Sequence, residues 1–425
     1  MSNSTMQKKN AFYAQSGGVT AVINTTACGL IEAARENAGK IGNVYAGRNG
    51  ILGALREELI DTNKESDEAI ASLPFTPAGA FGSCRYKLKN FEDSKAEYER
   101  LIKVFKAHNI GYFFYNGGGD SADTCLKVSQ ISKQMGYPIQ AIHIPKTVDN
   151  DLPFTDNCPG FGSVAKYIAV STKEASLDIA SMCETSTKVF ILEVMGRHTG
   201  WIAAASALAA EKVGDPPHII LFPEVPFSVQ NFLDKVEKTV LKEGYCVVVA
   251  SEGTKYLDGR FISGSTNKDA FGHHQLGGLA PTLANMIKSS LGYKYHWALA
   301  DYLQRSARHI ASATDIAQAY AVGRKAVEYA LAGKNSVMVT IERKEDSEYS
   351  WSLGEADLTD IANQEKKMPK SYITADGYGV TQEGIDYLSP LIQGEDYPPY
   401  KNGVPVYKKL ANIPVKKKIK ESYKL

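Results

Sequence analysis

Short apolar runs alternate with amphipathic segments along the first third of the chain. The short runs are nearly continuous, which is typical of buried strands, and they cover residues 11–15, 43–46, 110–115 and 139–144. The segments between them place apolar residues at helical spacing, and they cover about residues 20–37, 95–108 and 121–135. Strands that alternate with helices in this way predict a parallel sheet with right-handed crossovers.

The same alternation continues through the middle of the chain. Predicted strands cover residues 188–194, 218–222, 245–250 and 336–342. Predicted helices cover residues 164–182, 200–211, 229–242 and 314–331. A chain of 425 residues exceeds one ordinary core, and the turn-rich stretch 151–160 is where we expect it to cross between two domains.

The most informative loop follows the run at 139–144 and reads Pro145-Lys146-Thr147-Val148-Asp149-Asn150-Asp151. Ligands of open α/β sheets bind at the carboxyl ends of strands, which is where this loop lies. Asp149 can accept the proton of a hydroxyl that attacks phosphorus, and Lys146 offers positive charge to a transferring phosphoryl group. In an extended segment Asp149 and Asp151 face opposite ways. The alternative is a turn whose side chains bond their own backbone.

Two glycine-rich loops follow other predicted strands. Ser16-Gly17-Gly18 precedes a helix, so its backbone can approach an anion, although a tight turn also needs glycine. Gly117-Gly118-Gly119-Asp120 follows the run at 110–115, and its aspartate is a candidate Mg²⁺ ligand. The alternative for Asp120 is to cap the helix predicted from Ser121.

Charged residues also follow later strands. Arg197 suits a phosphate group and Glu252 suits the hydroxyls of a polyol. Arg305 lies in a late basic stretch. Taken singly, each of these residues also fits an ordinary surface charge.

Seven motifs, in this order and between residues 12 and 342, resemble the 6-phosphofructokinase family. They are SGG at 16–18, FGSCR at 81–85, GGGDS at 117–121, PKTVDND at 145–151, EVMGR at 193–197, SEG at 251–253 and YLQR at 302–305. The resemblance implies an α/β fold with two Rossmann-like domains, mainly parallel sheets and the active site between them. The implied domains are a phosphoryl-donor domain (1–160 plus about 305–350), a fructose 6-phosphate domain (161–304) and a C-terminal extension that packs on both (351–425).

Within the family, Asp120 and Lys146 resemble the pyrophosphate-dependent branch, because ATP-dependent members usually carry glycine at both positions. Asp120 would repel an α-phosphate, whereas Lys146 would hold compact pyrophosphate. The implied reaction is reversible: pyrophosphate and fructose 6-phosphate give fructose 1,6-bisphosphate and phosphate. An ATP-dependent member and a catalytically silent regulatory subunit remain as alternatives.

The resemblance also implies roles for individual residues. Asp149 would be the proton acceptor, and the other catalytic residues would be Lys146, Asp120, Arg197 and Thr147. Pyrophosphate would contact Gly17, Gly18, Arg85, Gly118, Asp120 and Lys146. The sugar phosphate would contact Thr147, Asp149, Lys188, Met195, Gly196, Arg197, Glu252, Lys294, Tyr302 and Arg305.

Some positions depart from the family pattern. Gly119 stands where many members carry a metal-binding aspartate, so Asp120 and Asp151 are the implied Mg²⁺ ligands. Lys188 and Lys294 lie where the family carries phosphate-binding arginines. A neighbouring subunit contributes to the sugar-phosphate site in this family, so we expect a homodimer or homotetramer with these lysines acting across its interface.

Composition narrows the class of protein. The formal net charge of +1 gives no reason to expect nucleic acid or a membrane as a partner. The scattered cysteines and the polar amino terminus favour a cytoplasmic protein. The basic cluster 416–420 predicts a solvated or disordered chain end, with contact to an anionic ligand or a neighbouring subunit as the alternative.

Overall fold

The computed structural model describes residues 8–263, 276–344 and 348–423. Its strands are β1 (Lys9–Gln15), β2 (Ile41–Gly47), β3 (Leu59–Asp61), β4 (Ile110–Gly117), β5 (Gln140–Pro145), β6 (Val189–Val194), β7 (Ile219–Leu221), β8 (Cys246–Ser251), β9 (Tyr295–Leu299), β10 (Val337–Arg343), β11 (Trp351–Asp357), β12 (Tyr400–Lys401) and β13 (Val404–Pro405). Its α-helices are α1 (Ile23–Glu36), α2 (Ile51–Leu55), α3 (Asp67–Ala71), α4 (Lys95–Ala107), α5 (Gly119–Gln134), α6 (Phe161–Met182), α7 (Trp201–Ala205), α8 (Val229–Glu243), α9 (Leu279–Leu291), α10 (Asp301–Ser306), α11 (Ala313–Leu331), α12 (Leu358–Ile361) and α13 (Gln382–Leu388).

The larger sheet has seven strands in the order β11-β10-β5-β4-β1-β2-β3. Its central pairs are parallel, whereas β11 and β3 run antiparallel to their neighbours. Alternate residues of β4 point to opposite faces: Phe113 packs in the core with α4 and α5, and Phe114 packs in the core with α1 and α11. This two-sided burial explains why the strands read as continuous apolar runs.

The smaller sheet has four parallel strands in the order β7-β8-β6-β9. Helices α6 and α7 cover one face and α8 and α9 cover the other. The predicted α/β class with mainly parallel sheets is confirmed. Among the described residues, no helix combines the length and apolarity that a bilayer span requires.

Several elements differ from the sequence prediction. The helix predicted over 200–211 is wrong beyond Ala205, since the chain tightens into a short 3₁₀ turn at Ser206–Ala209. The pattern also missed α9 and the edge strands β3, β9 and β11. β9 is only half covered, with Trp297 and Leu299 each 42% exposed, so it lacks the buried run that marks the central strands.

The lysines of the basic cluster 416–420 are exposed, as predicted for a solvated chain end, but the segment is held by contacts as far as residue 423, so the prediction of disorder is wrong. Val415 donates its N–H to the Leu59 carbonyl at 2.8 Å, and Ile419 packs against the core of the larger sheet. The buried Glu57 carboxylate accepts the N–H of Lys418 at 2.6 Å. Backbone pairing and apolar side chains between the lysines therefore bind this segment to the domain.

Candidate active site

A cavity of about 640 Å³ lies where carboxyl ends of strands from the two sheets face each other. Residues from nearly every predicted motif line it: Ser16, Gly17, Gly18, Arg85, Gly118, Asp120, Lys146, Thr147, Asp149, Asp151, Met195, Arg197, Glu252 and Arg305. Parallel strands bring residues more than a hundred positions apart to one edge, which is the common ligand site of open α/β sheets. The proposed grouping of these residues thus has a geometric basis.

Glycine backbone and one buried lysine form the side of the cavity next to the larger sheet. Gly17 has a φ of 74°, a left-handed conformation that favours glycine. A Cβ on Gly18 would come within 2.9 Å of the Arg305 guanidinium, so a larger residue here would displace that side chain. The Lys146 side chain is 4% exposed, and it makes no hydrogen bond or ion pair with the described residues. Desolvation, followed by repulsion from Arg305, lowers the pKa of Lys146 to about 8.

Asp149 and Asp151 line the same cavity, and the extended segment assumed in predicting that they face opposite ways is not present. Asn150 between them has a φ of 54°, and this left-handed residue breaks the alternation of an extended segment. Desolvation, with repulsion from Asp151 and Glu252, raises the pKa of Asp149 to about 7. The turn considered as an alternative is present too, since Thr147 Oγ1 accepts the Asp149 N–H at 3.1 Å.

The loops after β6 and β8 form the facing side. The Ser251 hydroxyl donates to the Gly196 carbonyl at 2.6 Å, which ties the two loops together. A Cβ on Gly253 would lie 2.1 Å from the Arg197 carbonyl, so only glycine permits this approach. Desolvation raises the pKa of Glu252 to about 7, against the opposing effect of Arg197. A carboxyl group whose pKa lies near neutral pH, beside an arginine, is typical of functional sites.

Asp120 has a different local role from the cap considered above. Helix α5 begins at Gly119 with Gly118 as its N-cap, so Asp120 lies in the first turn and does not cap a helix from Ser121. Its Oδ1 lies 2.7 Å from the Lys87 ammonium, an ion pair whose side chains are 37% and 44% exposed respectively. The hydrogen bond to Asp120 raises the pKa of Lys87. Sequence reasoning missed Lys87 because it lies just beyond the FGSCR motif.

Four predicted sugar-phosphate residues do not line this cavity. Gly196 and Tyr302 adjoin it: Gly196 lies between two lining residues, and the Tyr302 ring centroid lies 3.8 Å from the Arg305 guanidinium carbon. Lys188 and Lys294 lie together at the amino ends of β6 and β9, joined by a backbone hydrogen bond of 2.9 Å. That edge of the sheet is opposite to the one that carries Met195, so these lysines lie away from the cavity of their own chain.

Sequence reasoning also missed a wall of the cavity that comes from the C-terminal extension. Asn363, Gln364, Glu365 and Lys367 line it together with His198, and the His198 ring lies 2.7 Å from the Glu365 carboxylate. The stretch has no glycine-rich loop and follows no predicted strand. The one local signal is its density of polar residues, NQEKK at 363–367, which is equally typical of a surface loop.

The carboxylates of the cavity fit a divalent cation. Asp149 and Asp151 repel each other, and Glu365 adds to the raised pKa of Asp151 after desolvation. Across residues 8–263, 276–344 and 348–423 no three acidic, histidine or cysteine side chains cluster as ready-made metal ligands. Mg²⁺ commonly takes one or two carboxylates and completes its shell with waters and substrate phosphates, so this donor set suits it.

The fold and the cavity define a two-sheet α/β protein in which cations, glycine backbone and carboxylates surround one cavity. A family model described as Phosphofructokinase matches residues 10–330. The chain belongs to the phosphofructokinase family, which confirms the resemblance found in the seven motifs.

Similar proteins of known name match nearly the whole chain. The pyrophosphate--fructose 6-phosphate 1-phosphotransferase of Halomonas elongata is 66% identical over 416 residues, which cover 98% of this chain and 99% of the relative. That of Methylococcus capsulatus is 63% identical over 418 residues, covering 98% and 100%. The crystal structure of the pyrophosphate-dependent phosphofructokinase from Marinobacter aquaeolei aligns with a TM-score of 0.90 at 64% identity, covering 98% of this chain and 100% of that chain.

Proposed function

We propose that this chain transfers a phosphoryl group reversibly from pyrophosphate to the 1-hydroxyl of D-fructose 6-phosphate, giving fructose 1,6-bisphosphate and phosphate. The observation that carries the proposal is the Lys146 ammonium, which is buried in the cavity beside Asp149 and makes no hydrogen bond or ion pair with any residue that the structure describes. A desolvated cation of this kind is a strong site for a compact polyanion. The names of the full-length relatives support the same reaction.

Asp149 is the proposed proton acceptor. Its carboxylate takes the proton of the attacking 1-hydroxyl in the forward direction and returns it in the reverse direction. A pKa of about 7 suits both tasks, because a catalytic acid–base works best when its pKa lies near the working pH. Lys146, Thr147 and Arg197 hold the transferring phosphoryl group and offset its charge.

The remaining predicted residues divide between the two substrates. For pyrophosphate we propose the backbone at Gly17, Gly18 and Gly118 together with Arg85, Asp120 and Lys146. For the sugar phosphate we propose Met195, Gly196, Glu252, Tyr302 and Arg305. Phosphofructokinases generally depend on Mg²⁺. Here we propose Asp151 and Asp120 as its protein ligands. Mg²⁺ would compete with the Lys87 ammonium for the Asp120 carboxylate. The ion would neutralise charge on the phosphate groups.

A donor assay on the purified chain tests the proposal. With fructose 6-phosphate and Mg²⁺, we expect turnover with pyrophosphate and little or none with ATP. Equal turnover with both donors would refute the argument from Asp120 and Lys146, and absence of turnover with either would indicate a silent subunit. As a matched variant, Asp120→Gly with Lys146→Gly should lose pyrophosphate use, and unchanged use would contradict the roles of these side chains.

We also propose that a second copy of this chain completes the sugar-phosphate site through Lys188 and Lys294. Their ammonium groups bond to the Glu184 carbonyl at 3.4 Å and the Ser186 hydroxyl at 2.9 Å, so both remain near the surface. Mixing inactive Asp149→Asn subunits with Lys188→Met subunits should restore part of the activity. In some mixed sites the native Asp149 comes from the Lys188→Met subunit and the native Lys188 comes from the Asp149→Asn subunit. A strictly monomeric mass with full activity would contradict this proposal.

A further inference from the structure

The loop between β5 and α6 carries Asp149 and Asp151, and it has almost no regular secondary structure. Two of its residues, Asn150 and Phe154, adopt left-handed backbone conformations with φ of 54° and 61°. Such conformations are unfavourable for residues with a side chain, and they persist only where surrounding contacts hold them. The position of the two carboxylates therefore depends on what the loop is bound to.

Lys366, from the C-terminal extension, binds this loop through both its side chain and its backbone. Its ammonium donates to the Asp156 carbonyl at 2.7 Å and the Thr155 carbonyl at 3.0 Å, with Asn150 Oδ1 at 3.5 Å. Its backbone N–H donates to the Asp151 carbonyl at 2.7 Å. One residue thus bridges residues 150–151 and 155–156 of the loop that carries the carboxylates.

Tyr387, in α13 of the same extension, makes a second set of contacts. Its hydroxyl donates to the Asp156 carbonyl at 2.6 Å and accepts a hydrogen bond from Asn150 Nδ2 at 3.0 Å. The Asn150 side chain in turn accepts the Cys158 N–H at 3.0 Å, so it is held on both its amide atoms. These contacts fix the left-handed residue that lies between Asp149 and Asp151.

The extension is also anchored on the amino-terminal side of Lys366. Asn363 donates to the Asp123 carboxylate at 3.2 Å, and Glu365 bonds to His198 at 2.7 Å. The Lys366 ammonium lies 5.4 Å from the centroid of the Trp201 ring, which packs in the core of the smaller sheet. The contacts of Lys366 therefore belong to a set that joins elements of the larger sheet to elements of the smaller sheet.

We propose that Lys366 is a positioning residue for the phosphoryl transfer, which sets the catalytic loop so that Asp149 meets the attacking hydroxyl, with Tyr387 as its partner. The family model ends at residue 330, so both residues lie outside the part of the chain that it matches. The inference rests on the proposed function, because its effect is measured on pyrophosphate-dependent turnover.

The test compares Lys366→Met, Tyr387→Phe and the control Lys370→Met in the full-length chain. Methionine keeps the length of lysine but removes its charge and its donors, and Lys370 is an exposed lysine four residues away. We expect Lys366→Met to lower kcat about 10- to 100-fold while KM for both substrates changes little, since a displaced base costs rate more than binding. Amide hydrogen exchange of residues 150–157 should speed up in this variant and not in the control.

The outcomes separate the two proposals. A wild-type chain without pyrophosphate-dependent turnover refutes the proposed function. An active wild type with a Lys366→Met variant of unchanged kcat, or of kcat reduced only in proportion to its folded fraction, overturns the positioning role. If Lys366→Met does not fold, Tyr387→Phe tests the proposal instead, because it removes only one hydroxyl group. A lower kcat with unchanged KM in Tyr387→Phe supports the proposal, and an unchanged kcat contradicts it.

Discussion

Two enclosed lysines near the catalytic loop differ in what surrounds their ammonium groups. Desolvation lowers the pKa of both Lys146 and Lys366. Lys366 is compensated by backbone carbonyls at 2.7 and 3.0 Å. Lys146 instead faces a cavity of about 640 Å³ and has no such partner among the residues described. We therefore propose that the ammonium with protein acceptors, Lys366, serves the scaffold, and that the one without them, Lys146, binds an anionic substrate.

The same difference predicts opposite effects on stability. Removing the Lys366 side chain leaves carbonyl groups of the loop without a donor, which costs about 1–3 kcal/mol for each unsatisfied group. Removing the Lys146 ammonium relieves a desolvated charge that the attraction of Asp149 and Asp151 offsets only in part. Binding sites commonly carry such unfavourable groups, and the loss is recovered only when the ligand binds.

Asp149→Asn should give the largest effect on activity, because it removes the proposed catalytic base without changing the shape of the loop. We expect kcat to fall about 10²- to 10⁴-fold with little change in KM for fructose 6-phosphate. Since the pKa of Asp149 is raised to about 7, its contribution to stability is complete below about pH 4 and is lost as pH rises through 7. The variant should therefore be more stable than the wild type at pH 8 and nearly equal to it at pH 4.

Steady-state kinetics and thermal unfolding at the two pH values measure this effect. The exposed Asp178, on the surface of α6, supplies a control as Asp178→Asn, which should change neither property. Turnover near that of the wild type in Asp149→Asn would exclude Asp149 as the base.

Lys146→Met should give the next largest effect and tests the comparison of the two lysines directly. Loss of a charge-assisted contact should raise KM for pyrophosphate roughly 10- to 100-fold, as expected for hydrogen bonds to charged groups. Because the pKa of Lys146 is lowered to about 8, the unfolded chain binds more protons between pH 8 and about 10.5, so wild-type stability rises over that range. The variant should thus be more stable than the wild type below pH 8, and this advantage should disappear by about pH 10.5.

Chemical denaturation across this pH range, beside Lys366→Met, measures the contrast. Lys366→Met should be less stable than the wild type where Lys146→Met is more stable. If both substitutions destabilised the protein equally, the distinction between scaffold and ligand-binding lysines would be wrong.

Lys87→Met should give the smallest effect, because Lys87 and its partner Asp120 are both partly exposed. Solvent-exposed ion pairs contribute about 0–1 kcal/mol, so the free energy of unfolding should change by no more than this. Freeing the Asp120 carboxylate places an uncompensated negative charge in the cavity, and KM for pyrophosphate should rise by up to about fivefold. Lys87→Arg should behave as the wild type. A loss as large as that of Lys146→Met would make Lys87 a principal pyrophosphate ligand.

Much of the fold and of the cavity could be predicted from local patterns. Strands such as β4 and β8 are short apolar runs that end in polar loops, and the loops carry the motif residues. The orientation of Asp149 relative to Asp151 could not be predicted, because it depends on the left-handed Asn150. The packing of residues 411–423 was also missed, since its stabilising contacts, such as Glu57 with Lys418, join distant parts of the chain.

The sequence by itself determined the family, the order of the motifs and the residue types that meet at the cavity, because these depend on local periodicity and on short stretches of chain. Only the tertiary structure decided which enclosed lysine faces the cavity and which binds the loop between β5 and α6. Asn150 and Lys366 are 216 positions apart, and no pattern around either residue indicates the other. Whether a buried charge serves the scaffold or the substrate depends on its partners in space, and the packing of the chain determines those partners.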